Sequence, residues 1–385
     1  MSGASRGQHR VGILVVCGLL GLRAPVAGQD ASFVHRLGRD TMAVEQYTRT
    51  ANRLAGEVAA RMGAAVTRIQ YDVALNDGRP VTAIYRLRSA AGTPLPNQPT
   101  EVRITFVGDS AKREAVFADS TNVRMVSAAR GVPFQSPAFG LWELAFMQMR
   151  KSSTPSANFT LVTAGGGTAQ VALAAAGGDT IRSTNAAGLA TIFRADREGR
   201  LLSVDATQTT QKLVSTRGNT RIDVAALAGR MSPTGALSAR GTAHASFMQS
   251  VVFISYGRPL VRERTVWGGT LVPTEQIWRA GANEATHLAT GRELTFGNVV
   301  LPPGLYTLFI FNASSGPQLV INKQVGQWGT VYNQEQDFGR VPMTMSATPE
   351  HVEEFTINIR SLGGGRGSID LVWGQQMAST GFTVR

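Results

Sequence analysis

Cysteine is almost missing from this 385-residue chain: Cys17 is the single one. Beyond it there is no thiol to pair in a disulfide, to ligate a metal or to act as a nucleophile, so stability must come from buried apolar surface. Lysine is scarce too, with only Lys112, Lys151, Lys212 and Lys323, and the net charge of +12 rests on arginine. The arginines recur every few residues among Ala and Gly, without clustering or interleaved aromatics. That spacing describes scattered solvated charge and excludes nucleic acid as the expected partner. No apolar stretch reaches the ~20 residues that a helix needs to cross a ~30 Å hydrocarbon core.

Several chemical signatures are missing as well. There is no Gly-x-Ser-x-Gly elbow of the common esterases. The triplet Gly165-Gly166-Gly167 lacks the Gly-Lys-Ser/Thr that makes a phosphate loop. His35, His244, His287 and His351 are isolated, without zinc-ligand spacing. His351-Val352-Glu353-Glu354 is the nearest approach to a metal cluster, but it follows Pro349 and reads as a solvated loop. No metal and no cofactor are expected.

What is present begins with an N-terminal export signal. Arg6 and Arg10 precede an apolar run over residues 11–22, interrupted by Gly12, Gly18 and Gly21, and Val26-Ala27-Gly28 offers a cleavage site before Gln29. The expectation is an exported bacterial cell-envelope protein, periplasmic or extracellular, with a cysteine-free mature chain and no transmembrane helix after signal removal. Loss of Arg6, Arg10 and Arg23 leaves a net charge of +9. A lipoprotein signal through Cys17 is a minor alternative, because Leu14-Val15-Val16 lacks the small residues usual before a lipidated cysteine.

From Phe33 onward, short apolar-polar alternation is broken by turn residues, as in antiparallel strands with one wet face. Residues 67–75 and 81–87 flank Asn76-Asp77-Gly78 as a hairpin. Further strands are expected over 101–107, 113–118, 123–127, 190–195 and 201–207. The Gly-, Ala- and Thr-rich residues 157–188 read as flat strands joined by glycine turns. One segment departs from this rhythm. Over 136–150, Phe139, Trp142, Phe146 and Met149 recur at helical spacing after Ser136 as N-cap and Pro137 in the first turn. This helix is expected to serve as a plug closing the sheet or as a lid over an apolar cavity. The predicted organisation is therefore a signal peptide over 1–28, an N-terminal antiparallel meander or curved half-barrel with one helix over 29–230, a linker over 231–244 and a C-terminal β domain over 245–385.

The C-terminal part carries unusual segments in a fixed order: Ser255-Tyr256-Gly257-Arg258-Pro259, Val266-Trp267-Gly268-Gly269, Trp278-Arg279-Ala280-Gly281-Ala282-Asn283-Glu284, Leu301-Pro302-Pro303-Gly304, Val320-Ile321-Asn322-Lys323, Gln327-Trp328-Gly329 and Leu371-Val372-Trp373-Gly374. In these residues the stretch 245–385 resembles the bacterial family catalogued as domain of unknown function 2911. The resemblance implies an exported, mainly β domain and supplies no catalytic residues. Independently, Pro302-Pro303-Gly304 before the alternating residues 305–311, with strands over 318–322, 355–359 and 368–373, predicts a β-sandwich or jelly-roll-like fold.

Polar residues among these tryptophans are the candidate ligand-binding set: Arg258, Trp267, Trp278, Arg279, Asn283, Glu284, Lys323 and Trp328. Aromatic faces there would take an apolar or sugar ring while Arg, Asn and Glu fix its orientation. The competing reading is a structural network in which Arg279 and Glu284 pair with each other or with backbone carbonyls. The expected role is non-enzymatic binding or scaffolding, of an envelope glycan, lipid or small molecule. Two alternatives remain open: an envelope hydrolase with Glu284 as acid/base supported by Arg279 or Lys323, and a lipid or lipoprotein carrier using the half-barrel under the Phe139–Met149 segment. Sequence leaves the oligomeric state open.

Overall fold

Alternation of apolar and polar residues lets each strand bury one face and hydrogen-bond through both edges, and the N-terminal half exploits this across fifteen strands. The computed structural model describes residues 29–385 apart from 186, 187 and 210, so the expected signal segment with Cys17 lies outside the described residues. Eight strands come first: β1 (Gln29–Leu37), β2 (Asp40–Arg49), β3 (Arg53–Ala60), β4 (Thr67–Asn76), β5 (Arg79–Ser89), β6 (Glu101–Val107), β7 (Ser110–Val116) and β8 (Thr121–Ser127). After β9 (Gly131–Phe134) and a helical segment come β10 (Ser156–Thr163), β11 (Thr168–Ala175), β12 (Thr180–Asn185), β13 (Ala190–Ala195), β14 (Leu201–Asp205) and β15 (Val214–Gly218). The chain walks outward from the middle of the sheet to β8, jumps, and walks back from β10 to β15, which pairs with β1. Every neighbouring pair is antiparallel except β9 with β10. β8 and β9 are the two edges, so the sheet does not close into a barrel. It curls instead: β9 packs against β5, and Arg113 of β7 donates to the Ala164 carbonyl beyond β10 at 2.7 Å.

The hairpin at Asp77-Gly78 forms where sequence places it, with both residues at positive φ (52° and 75°), the twist that suits a two-residue connection. The helical segment differs in detail from expectation. A 3₁₀ turn, Phe139–Trp142, leads into α1 (Glu143–Ser152), and Ser136 does not cap it. The Ser136 hydroxyl accepts from Gln211 instead, and the Gly140 N–H is taken by the Glu45 carboxylate. Phe139, Trp142, Phe146 and Met149 are all buried in the same core as the strands, with Phe146 and Trp142 against Phe193 of β13 at 5.1 and 4.8 Å between ring centroids. The segment therefore packs into the concave face as part of the core. A five-residue helix, α2 (Val224–Ala228), capped by the Asp223 carboxylate, lies on the other face over Val44 and Ala59.

The C-terminal half folds as two antiparallel sheets. One orders β16 (Ser238–Phe247), β17 (Ser250–Pro259), β19 (Thr286–Thr290), β22 (Gly304–Ala313), β23 (Gly316–Asn322) and β24 (Asp337–Pro342), with β18 (Ile277–Trp278) also on β22. The other orders β21 (Val299–Leu301), β20 (Leu294–Phe296), β26 (Arg366–Val384) and β25 (Thr344–Gly363). Tyr256 of the first sheet accepts from the Ile357 N–H of the second at 2.9 Å, and Trp278, Phe355 and Trp373 fill the space between them. This is the expected sandwich. Two boundaries shift. β16 already begins at Ser238, inside the segment read as linker, and His351-Val352-Glu353-Glu354 lies within β25, where Val352 pairs with Gly374 of β26 and the Glu353 carbonyl accepts from the Val261 N–H.

Candidate functional site

The segment between β18 and β19 is shaped by small residues. Ala280, Ala282 and Ala285 are buried, Ala280 and Asn283 sit at positive φ, and Gly281 has φ 156°. A Cβ on Gly257 would meet the Ala282 carbonyl oxygen at 2.1 Å, so the segment lies directly on the β17 backbone. The Thr286 hydroxyl ties it down by donating to the Ala280 carbonyl at 2.8 Å. Packing thus accounts for the small residues of Arg279-Ala280-Gly281-Ala282-Asn283-Glu284, and the polar ones are left at its rim.

Four of the eight candidates meet at that rim. Arg279 donates to the Asn283 carbonyl at 3.3 Å, and the Gly329 N–H donates to the same carbonyl at 2.9 Å. Trp328 forms a backbone bridge with Glu284, and the residue is 46% exposed. A Cβ on Gly329 would stand 2.7 Å from the Arg279 side chain, so glycine is needed for the two segments to close. The Asn283 side chain donates to the Ser238 carbonyl at 3.3 Å. Burial lowers the Arg279 guanidinium from its ordinary value, against the raising effect of Glu284.

The other four stand elsewhere. Trp278 is a core residue, stacked on Trp373 at 5.6 Å, and Trp267 meets it edge-on at 6.2 Å. Arg258 pairs with Glu354 at 3.1 Å. Lys323 is exposed, with its backbone N–H on the Gln336 carbonyl. Arg279 is held by a backbone carbonyl, as the structural-network reading expects, whereas Trp328 is about half exposed.

Sequence reasoning missed Arg240 of β16. It donates to the Ser255 hydroxyl at 2.9 Å and to the Ala285 and Glu284 carbonyls at 2.8 and 3.2 Å, and it stands 3.8 Å from the Glu284 carboxylate. Nothing in a lone arginine on an alternating strand marks it out. His287 lies nearby, accepting from the Gly326 N–H at 3.1 Å, and burial, then Arg240, lower its imidazole below the usual histidine value.

Sequence also missed a buried polar network beneath α1. Glu143 accepts from Tyr47 at 2.5 Å and from the Leu201 N–H at 2.8 Å, and pairs with Arg49 at 2.7 Å. Glu45 accepts from Tyr71 at 2.6 Å and from the Gly140 N–H, with His35 3.5 Å away. Burial raises the Glu143 carboxyl against the pull of Arg49, and raises both tyrosines well above their usual range. These groups are closed to solvent and fix the helical segment inside the sheet. Among the described residues, no group of three or more His, Asp or Glu side chains forms a metal site, and no helix is long and apolar enough to cross a membrane.

A surface concavity of about 700 Å³ lies apart from the rim, between the start of α2 and the outer face of β2 to β5. Its charged side chains are already paired, Arg53 with Asp72 at 2.6 Å inside it and Arg86 with Glu101 beyond it at 2.7 Å. An exposed indole among oriented polar groups is the better recognition surface, because it offers contact area at low entropic cost.

No curated protein matches. Among solved structures, a DUF1089 family protein from Pseudomonas aeruginosa is 8% identical, covering 42% of this chain and 89% of its own, with a TM-score of 0.33. A β-barrel-like protein of domain of unknown function DUF1849 from Brucella abortus is 11% identical, covering 52% of this chain and all of its own, with a TM-score of 0.34. The family model described as "Protein of unknown function (DUF2911)" matches residues 238–382, bounds that coincide with the sandwich from β16 into β26. The C-terminal sandwich of this chain thus matches the DUF2911 family model, and the N-terminal sheet matches no family model.

Proposed function

We propose that this is an exported cell-envelope protein that binds rather than transforms its ligand, and that the sandwich holds a glycan or similar small polar molecule at the rim of Arg240, Arg279, Asn283, Glu284 and Trp328. One observation carries this reading. Trp142, Trp267, Trp278 and Trp373 pack against other rings, whereas Trp328 turns a half-exposed face to solvent beside Glu284 and its neighbour Arg240. A flat apolar face next to fixed donors and acceptors suits a sugar ring, whose faces are apolar and whose edges carry hydroxyls. Arg240 and Arg279 are anchored on carbonyls, so little side-chain entropy is lost when they orient a ligand.

The test is a glycan-panel screen with the full chain, followed by calorimetric titration of any hit. Trp328→Ala should weaken a hit at least about tenfold while leaving the thermal midpoint nearly unchanged, because the indole contributes little to the core. No hit across the panel, or equal binding by the variant, overturns the reading.

A further inference from the structure

The two edges of the fifteen-stranded sheet differ in how far they are closed to further pairing. β9 has four residues, one of them Pro133, and packs against β5. Short length, proline and cover are the usual means of blunting an edge. β8 uses none of them. It runs for seven residues, Thr121–Ser127, without proline or glycine, and every residue but Val126 is exposed. Val123 and Met125 are 54% and 58% exposed, so the edge is apolar as well as open.

The ladder between β7 and β8 fixes which backbone groups are free. At its two ends the Phe117 N–H donates to the Ser120 carbonyl and the Ala128 N–H to the Asp109 carbonyl, each at 2.8 Å and each continuing the register in which Arg113 faces Arg124. Bonded and unbonded pairs alternate along an antiparallel ladder, so Asn122, Arg124 and Val126 bond to β7. Thr121, Val123, Met125 and Ser127 therefore turn their N–H and C=O groups outward, where the sheet ends. The side chains divide in the same way. Val123 and Met125 stand beyond Glu114 and Lys112, which pair with each other at 2.9 Å. Arg124 stands on the other face, directly opposite Arg113, which is anchored on the Ala164 carbonyl at 2.7 Å. Like charges facing each other across a strand pair repel, and burial, then Arg124, lower the Arg113 guanidinium from its ordinary value. Pairing the whole strand with a second copy of this chain would set Arg124 against its counterpart, adding to that repulsion. An acidic residue in that place would relieve it.

We propose that β8 is a docking edge for an extended peptide segment of another protein, one that carries an acidic residue between apolar ones and pairs antiparallel to β8 as a further strand. The outward groups of Thr121, Val123, Met125 and Ser127 supply the main-chain bonds, and the alternating side chains supply selectivity. Val123 and Met125 take apolar partners on one face. Arg124 falls at an unbonded position of the new pair, where facing side chains approach most closely, and takes the carboxylate on the other. This site goes beyond the sugar-binding reading, because it lies in the N-terminal sheet and shares no residue with the Trp328 rim.

Fluorescence anisotropy of a labelled heptapeptide, Thr-Thr-Val-Glu-Val-Thr-Thr, titrated with the full chain tests the proposal, with the same peptide carrying lysine at its centre as the control. Saturable binding of the glutamate peptide is expected, about tenfold or more tighter than that of the lysine peptide. Arg124→Glu should reverse the preference, since Arg124 is exposed and its replacement faces Arg113. Val123→Pro deletes an outward N–H that β7 does not use, so it should weaken binding about tenfold or more with the thermal midpoint nearly unchanged. If Val123→Pro does not fold, the charge reversal at Arg124 decides alone. No saturable binding of the glutamate peptide, equal affinity for the two peptides, or an unchanged preference in Arg124→Glu overturns the proposal. So does a dimer in sedimentation velocity that Val123→Pro disperses, because the edge would then belong to a second copy.

Discussion

Glu143 shows how much one residue decides here. It lies at the start of α1 with its carboxylate closed to solvent, and holds Arg49 of β2, the Tyr47 hydroxyl and the Leu201 N–H. Truncation to alanine leaves Arg49 unpaired inside the sheet, and urea unfolding should show a loss of about 3–5 kcal/mol, with Glu143→Gln costing less because it keeps a hydrogen-bonding oxygen. Neither Glu143 nor Glu45 was legible in sequence. A glutamate on an alternating strand or in the first turn of a helix is ordinarily a surface residue, and its burial here depends on partners distant along the chain. Lys212 is the second residue with a measurable signature. Burial, then the charges of Arg264 and Arg279, lower its ammonium to about 8 from the ordinary 10.5. Because the folded value is the lower one, the native state carries an unfavourable charge below pH 8, and that penalty is relieved as pH rises from about 8 toward 10.5. Stability should therefore gain a contribution over that window. Carbon-13 NMR of the four lysines should show one titrating near 8, absent in Lys212→Arg, and four ordinary titrations above 10 would contradict the geometry.

At the scale of elements, local chemistry was legible and distant packing was not. The hairpin at Asp77-Gly78 could be read because its turn and alternation lie within a few residues. The helical stripe Phe139, Trp142, Phe146, Met149 was readable for the same reason, and its start was misplaced because Glu45, almost a hundred residues away, claims the Gly140 N–H. Trp278 looked like Trp328 in sequence, each beside a polar neighbour, Arg279 and Gln327. Only the second sheet, which brings Phe355 and Trp373 onto Trp278, separates core from surface. The connection from Arg279 to Glu284 makes a prediction of its own. Gly257→Ala places a methyl 2.1 Å from the Ala282 carbonyl, so the connection must lift. The expected result is a loss of roughly 1–3 kcal/mol in thermal or urea unfolding, together with loss of ligand binding at the rim. Unchanged stability would show that the contact yields freely.

Among the described residues there are two large cores, one inside the curled sheet and one between the sheets of the sandwich, and a small third cluster under α2. The curled sheet and the sandwich meet where the β1 to β2 turn approaches Arg262: Arg262 pairs with Asp40, Arg39 with Glu263, and a Cβ on Gly38 would lie 2.0 Å from the Arg262 carbonyl oxygen. Scanning calorimetry of Gly38→Ala should therefore resolve two transitions further apart than in the wild-type chain. An unaltered trace would mean that the junction transmits no stability. Export belongs to this scale as well, and mass spectrometry of the chain recovered from a bacterial periplasm should find Gln29 at the N-terminus. The claim on which the functional reading rests is that Trp328, alone among five tryptophans, faces the ligand. Nitrogen-15 NMR of the indole N–H groups during titration with a glycan hit tests it directly. The Trp328 resonance should shift in proportion to saturation while those of Trp142, Trp267, Trp278 and Trp373 stay in place. Movement of a core indole with Trp328 unmoved would contradict it.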